Sequence, residues 1–260
     1  MSKENKIVLI TGAAKRIGKE IALSMADAGW DIAIHYGKSK EEASQTIQEI
    51  KAKGRKAIAL QADLSNEQEV EALLPECLKK LGVPSCIINN ASLFEYDDPK
   101  TVNYKNVENH FKVNLSAPLI IARDYYKLLL KDSQSNVLSG VLIQLLDQKI
   151  ENLNPDFFSY TLSKGALEMA TVMMAQAYAP ILRVVAIAPG ITLTSGEQTD
   201  KGFEEAHKLT PLGKSSSPND IAEGVIYLAN AKAVTGITLF VDGGQHLTPS
   251  KRDVMFLTSN

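Results

Sequence analysis

Tyr160 and Lys164 stand four residues apart, a spacing that puts both side chains on one face of a helix. A protonated lysine near a tyrosine lowers the phenol's pKa, which makes the phenol a proton relay at neutral pH. Asn114 precedes Pro118 by four residues within a helical pattern. Proline has no N–H to offer, so the carbonyl of residue 114 is freed and the helix is expected to kink. A third group of residues is suited to binding rather than to proton transfer. Thr11-Gly12-Ala13-Ala14-Lys15-Arg16-Ile17-Gly18 joins an apolar run to a helical pattern. Such a turn aims backbone N–H groups and the positive end of a helix dipole at one point, which favours a phosphate. An ordinary glycine-bearing strand-to-helix turn is the other reading. Where the second strand pattern ends there is no acidic residue to bind a ribose 2′-hydroxyl. His35, Lys38 and Ser39 are donors suited to a 2′-phosphate; a solvated surface lysine is the alternative for Lys38.

These residues need a frame, and the chain alternates strand and helix patterns throughout. Apolar runs of strand length occur at 6–10, 32–35, 57–61, 86–89, 141–146, 183–188 and 238–241. Between them lie helical patterns at about 17–28, 41–53, 107–130, 157–178 and 221–228, and one opened by a Ser65-x-x-Gln68 capping box. Ile17, Ile21 and Met25 recur every fourth residue, and Gly29 stands where that helix should stop. The pattern predicts a single α/β domain over 1–260, a doubly wound parallel sheet of Rossmann type with helices on both faces. A polar loop is expected around 132–136. A long, weakly patterned stretch at 191–218 follows a strand's carboxyl end, the position of a binding loop.

Bulk composition narrows the function. Twenty-eight basic and thirty acidic residues leave a net charge of -2, which makes no electrostatic case for nucleic acid or an anionic membrane. No apolar run approaches a transmembrane length and no signal peptide precedes the first strand. Cys77 and Cys86 fit neither a disulfide framework nor a zinc site, and read as reduced core residues of a cytoplasmic protein. Four scattered histidines argue against a metal centre.

The opening turn resembles the T-G-x-x-x-G-x-G turn of the short-chain dehydrogenase/reductases, with Arg16 where that family usually has its middle glycine. Asn89-Asn90-Ala91 resembles the family's N-N-A-G, with Ser92 replacing the glycine, and Gln61-Ala62-Asp63-Leu64-Ser65 is similar to its adenine-edge segment. Pro189-Gly190 resembles the turn on the nicotinamide side; Leu212-Gly213 to Asp220 and Val241-Asp242-Gly243-Gly244 resemble further landmarks. The likeness runs from Ile7 to about Leu247. Arg16, Ser92, Phe94 and Asp147 resemble more narrowly the pteridine reductase branch. There an aspartate stands where the family normally has its catalytic serine, and an aromatic stacks on the pterin. A surface aspartate starting a loop is the bland alternative for Asp147.

The resemblance implies NADPH as cofactor. Its contacts would come from Gly12, Lys15, Arg16, Ile17, Gly18, His35, Tyr36, Lys38, Ser39, Ala62, Asp63, Leu64, Asn90, Ala91, Ser92, Tyr160, Lys164, Pro189 and Gly190. Asp147, Tyr160, Lys164 and Asn114 would be catalytic, with Lys164 also holding the nicotinamide ribose and Asn114 acting through its carbonyl. Arg16, Ser92, Phe94, Asp147 and Tyr160 would meet the substrate. The implied activity is hydride transfer to a dihydropterin or dihydrofolate. Alternatives are a carbonyl reductase of 3-oxoacyl thioesters or small ketones, and a non-catalytic NADPH sensor. A homotetramer is implied. For the tail at 248–260, Arg252 either approaches a neighbour's site or belongs to a disordered end.

Overall fold

Strands covered on both faces read as unbroken apolar runs, because neither face offers a place for a polar side chain. Ile7–Ile10 (β1) and Cys86–Asn89 (β4) are of this kind and are buried at every position. The computed structural model describes residues 6–132, 140–194 and 199–258. In them β1 and β4 sit beside each other at the centre of a parallel sheet of order β3-β2-β1-β4-β5-β6-β7. The other strands are β2 (Asp31–Tyr36), β3 (Ala57–Gln61), β5 (Gly140–Leu145), β6 (Leu182–Pro189) and β7 (Thr238–Val241). Strand order reverses between β1 and β4, which opens a crevice at their carboxyl ends. This is the Rossmann-type sheet that the alternation predicts.

Helices cover both faces. Val8, Ile10, Ile32 and Ile34 pack with Ile21 and Met25 of α1 (Arg16–Asp27), Ile50 of α2 (Lys40–Ala52) and Val225 and Leu228 of α8 (Pro218–Asn230). Leu9, Ala33 and Ile87 alternate to the opposite face. They pack with Leu73 of α3 (Glu67–Lys80), Tyr125 of α5 (Ala117–Asp132) and Met174 of α6 (Phe158–Tyr178). Each such fully buried apolar side chain contributes about 1.5–3 kcal/mol, so these two layers fix the positions of the strand ends. Among the described residues no helix is long and apolar enough to cross a membrane.

Four local expectations change. The helix α3 is capped by Asn66, whose side chain accepts from the amides of Gln68 and Glu69; Ser65 instead gives its hydroxyl to Asp63 at 2.8 Å. An amide oxygen one residue nearer the helix displaces the Ser65 cap. The long helix at 107–130 is three pieces. The short helix α4 (Tyr104–Phe111) runs through a π-helical turn, Lys112–Ser116, into α5. The irregularity lies where Pro118 withholds an N–H, as expected, but takes the form of a widened turn. The stretch 191–218 contains α7 (Asp200–Lys208), capped by Thr199, because Gly202 and Ala206 supply a narrow buried face that hydrophobicity alone underplays. The tail is ordered through residue 258 and includes a short helix, Val254–Phe256. Of the expected loop at 132–136, residues 133–136 lie outside the described residues.

Candidate active site

The glycine turn is held by close packing and by one histidine. Gly12 has φ +63°, and a Cβ there would meet the Ala91 backbone at 2.8 Å; a Cβ on Gly18 would lie 2.4 Å from the Gly12 carbonyl. Asn90 Nδ2 donates to the carbonyls of Thr11 (2.8 Å) and Gly12 (3.0 Å), and Thr11 Oγ1 accepts the amides of Asn90 and Ala91. These bonds tie the first turn to the end of β4. Arg16 adopts φ +58°, the left-handed region that costs a side chain about 1–2 kcal/mol. That conformation suits glycine, which accounts for the glycine in the related turn.

His35 is a correction. Its Nδ1 accepts the Gly12 amide at 3.1 Å and its Nε2 donates to the Ala62 carbonyl at 3.0 Å. Burial holds its pKa below the ordinary value, so the ring is neutral and both nitrogens are occupied. It has no donor left for a 2′-phosphate; it is a strut between β2, β3 and the turn. Lys38 and Ser39 do face the crevice. Ser39 is at the N-cap of α2, yet its hydroxyl makes no cap bond. Asp63 lines the same end, its carboxylate held below its usual range by the amide and hydroxyl of Ser65.

The cleft has a volume of about 1040 Å³ and runs from Lys38 and Asp63, past Gly12, Arg16 and Gly18, to Asp147, Tyr160 and Lys164. Tyr36, Ala62, Leu64, Lys15, Ile17, Asn90, Ala91, Ser92, Phe94, Pro189 and Gly190 also line it. Arg16 Nη2 bonds the Thr194 carbonyl at 3.1 Å, bridging the turn and the stretch after β6. Asn114, 1% exposed, is placed behind the cleft wall. Its Oδ1 accepts the Leu93 amide at 2.7 Å, and its Nδ2 donates to the Leu93 carbonyl and to Ser163 Oγ. The side chain thus pins the segment after β4 to α6.

At the reacting end the Tyr160 hydroxyl donates to Asp147 Oδ2 at 2.8 Å, and Lys164 Nζ donates to the Leu145 carbonyl at 2.7 Å. Burial lowers the Lys164 pKa to about 8, while the nearby Asp147 acts to raise it. Burial raises the Asp147 carboxyl above the usual range, against the Lys149 amide and the Tyr160 hydroxyl, which favour its charged form. The Tyr160 phenol is pushed well up, by burial first and by Asp147 second. This reverses the sequence expectation of a phenol acidified by lysine. Two groups whose pKa values are both raised by burial thus stand in hydrogen-bond contact.

Phe94 stacks on Phe157 with ring centres 4.2 Å apart and meets the edge of Tyr160 at 4.7 Å. It remains 42% exposed, which leaves ring surface to the cleft. Three features had no sequence signal. Asp97, 1% exposed, caps the start of α6 by accepting the Ser159 amide and hydroxyl. Phe157 holds φ +56° at the N-cap of α6. The tail residues Asp253, Val254 and Met255 complete the cleft wall, and Lys149 bonds Asp253 from behind it. Arg252 pairs with Asp156 of its own chain at 2.7 Å, so in this structure the tail folds over its own site.

This crevice, with its serine position held by aspartate, defines an oxidoreductase of the dinucleotide-binding type, and comparison with known proteins agrees. A family model described as enoyl-(acyl carrier protein) reductase matches residues 12–246. The chain belongs to the short-chain dehydrogenase/reductase family. The crystal structure of FolM alternative dihydrofolate reductase 1 from Brucella canis, complexed with NADP, is 36% identical with a TM-score of 0.86, covering 96% of this chain and 97% of that one. Glucose 1-dehydrogenase 2 from Bacillus subtilis is 31% identical over 95% of this chain and 96% of its own length. The 3-oxoacyl-[acyl-carrier-protein] reductase FabG of Staphylococcus aureus is 30% identical over 94% of this chain and its full length.

Proposed function

We propose that the chain is an NADPH-dependent reductase of a dihydropterin or dihydrofolate. The carrying observation is the contact between the Tyr160 hydroxyl and the Asp147 carboxyl, both with raised pKa values. Reduction of a C=N bond puts electron density on a ring nitrogen that must acquire a proton, and a carboxyl whose pKa burial raises, in contact with a phenol, is suited to pass one on. The likeness to the Brucella dihydrofolate reductase supports this reading. Residues at the other end fit the cofactor: α1 has no acidic residue in its first turn and no side chain capping it, so its N-terminal amides are available to a phosphate. Lys15, Arg16 and Lys38 line the cleft there, cations suited to a pyrophosphate and a 2′-phosphate. When bound, NADPH supplies a hydride. Lys164 would hold its ribose, and Phe94 would lie against the flat ring of the substrate. Exposed Leu162, Met169 and Met173 on α6 support self-association, in keeping with a homotetramer.

A second reading, a carbonyl reductase of 3-oxoacyl thioesters or small ketones, is favoured by the FabG and glucose dehydrogenase relatives. Ketone reduction develops an alkoxide, for which neutral hydroxyl donors suffice without a carboxyl. NADPH oxidation measured with 7,8-dihydrobiopterin, dihydrofolate and a 3-oxoacyl thioester in parallel tests the proposal. Turnover of the thioester alone overturns it, and turnover of none favours a nucleotide-binding protein without catalysis.

A further inference from the structure

Behind Asp147 lies a lysine with no part in the reading above. Lys149 has a side chain only 2% exposed, rare for a lysine unless its ammonium is paired. Its Nζ bonds Asp253 Oδ2 at 3.0 Å and Asn154 Oδ1, and lies 5.9 Å from the centre of the Phe157 ring. Its backbone amide donates to Asp147 Oδ1 at 2.9 Å. One residue therefore touches the Asp147 carboxylate through its main chain and the carboxyl-terminal segment through its side chain. That segment is fastened. The Asp253 amide and Arg252 Nε both bond Asp156 Oδ2 at 2.7 Å, and Asn152 ties the stretch before it through Thr248 and Ser250.

We propose that Lys149 and Asp253 are positioning residues for the Asp147–Tyr160 acid pair, so that the last residues of the chain complete the proton-donating side of their own site. The charge layout gives the argument its sign. Asp147 faces Tyr160 and Lys164 from α6, Lys149 from its own turn, and Asp253 from the tail. Asp253 is a like charge, which favours the protonated carboxyl, and Lys149 is an opposite one, which favours the ionised form. Together they hold Asp147 at a set balance, and either one removed alone tips it.

This rests on the proposed reductase, but its first readout does not. The Asp147 side-chain carboxyl carbon, identified by its loss in Asp147→Asn, is followed by ¹³C NMR against pH in the free protein. Asp253→Asn is expected to lower the titration midpoint by about 0.5–1 pH unit, and Lys149→Met to raise it by about the same amount; Lys149→Arg restores the wild-type value. In NADPH-oxidation assays on whichever substrate the wild type turns over, the alkaline limb of kcat moves in the same opposite directions. A purely structural role would lower stability and activity in both variants without opposed shifts. If Lys149→Met does not fold, the more exposed Asp253→Asn carries the test. A midpoint unmoved in Asp253→Asn overturns the inference, even if dihydropterin is reduced. Failure of dihydropterin turnover alongside opposed NMR shifts overturns only the substrate reading.

Discussion

Tyr160 and Asp147 are joined by one hydrogen bond, and the two side chains are separable by mutation. Tyr160→Phe keeps the ring that meets Phe94 and deletes the hydroxyl that donates to Asp147. It is expected to lower kcat by roughly 10²- to 10⁴-fold while leaving NADPH affinity, measured by fluorescence titration, intact. Asp147→Ser is expected to lose most dihydropterin turnover and to abolish the fall in kcat at alkaline pH. The sign follows from burial, which raises the carboxyl pKa: activity that needs the proton is present below that pKa and lost as pH rises through it. Unchanged dihydropterin turnover in the serine variant would point to the carbonyl reductase. Tyr160 was legible from its spacing to Lys164, whereas Asp147 was legible only through the resemblance to the pteridine reductase branch. Lys149 and Asp253 were not, since 104 positions separate them and only the path of the tail brings them together. The direction of the phenol's shift was also illegible, because spacing to Lys164 says nothing of how dry the pocket is.

The first strand, turn and helix behave as one element whose strain and charge can be told apart. Arg16 is in a left-handed conformation, and Arg16→Gly removes both that strain and the cation, whereas Arg16→Ala removes the cation alone. Arg16→Gly should therefore be the more stable of the two by about 1 kcal/mol in urea unfolding, the strain relieved less the entropy of glycine. Both should bind NADPH roughly tenfold or more weakly, the loss of one charge-assisted contact. A second prediction concerns the histidine strut. With its folded pKa depressed by burial, His35 contributes stability that is present above about pH 6.5, its ordinary value. That stability is lost as pH falls from there toward the folded pKa, because the unfolded chain takes up the proton first. Thermal unfolding followed from pH 8 to 5 should show Tm falling below about pH 6.5, with a shallower fall in His35→Asn. An identical pH dependence in the two proteins would remove His35 from the lock. Strand positions were legible to within a residue or two, since β4 and β7 depend on local apolar runs. The role of His35 was not, because a polar residue at a strand end looks alike whether it faces a ligand or its own backbone.

Across the whole molecule, the tail, the start of α6 and the cleft are joined by a column of aromatic rings. Phe256 stacks on Phe157 at 6.1 Å, Phe157 on Phe94 at 4.2 Å, and Tyr96 meets both Phe157 and Phe256 edge-on. The far end of the tail is anchored too, for a Cβ on Gly202 of α7 would come within 2.7 Å of the Thr258 carbonyl. Phe157 holds a left-handed backbone, which costs a bulky residue about 1–3 kcal/mol and persists only where the surroundings over-determine it. Packing on both sides is what over-determines it here. The ring that would face the substrate is thus set by Phe157, which is not among the residues lining the cleft. Phe94→Ala, which removes the stacking surface, is expected to raise KM for a flat heterocycle by about 1–3 kcal/mol in apparent binding. Phe256→Ala leaves Phe94 in place but frees Phe157, so it should raise the same KM by a smaller factor and lower Tm. NADPH binding alone should change in neither, because the column lies at the substrate end of the cleft. The double variant should show less than the sum of the two KM effects, as residues acting through one shared neighbour do. Full additivity, or a Phe256→Ala enzyme with wild-type KM, would show that the tail merely covers the protein and does not shape its site.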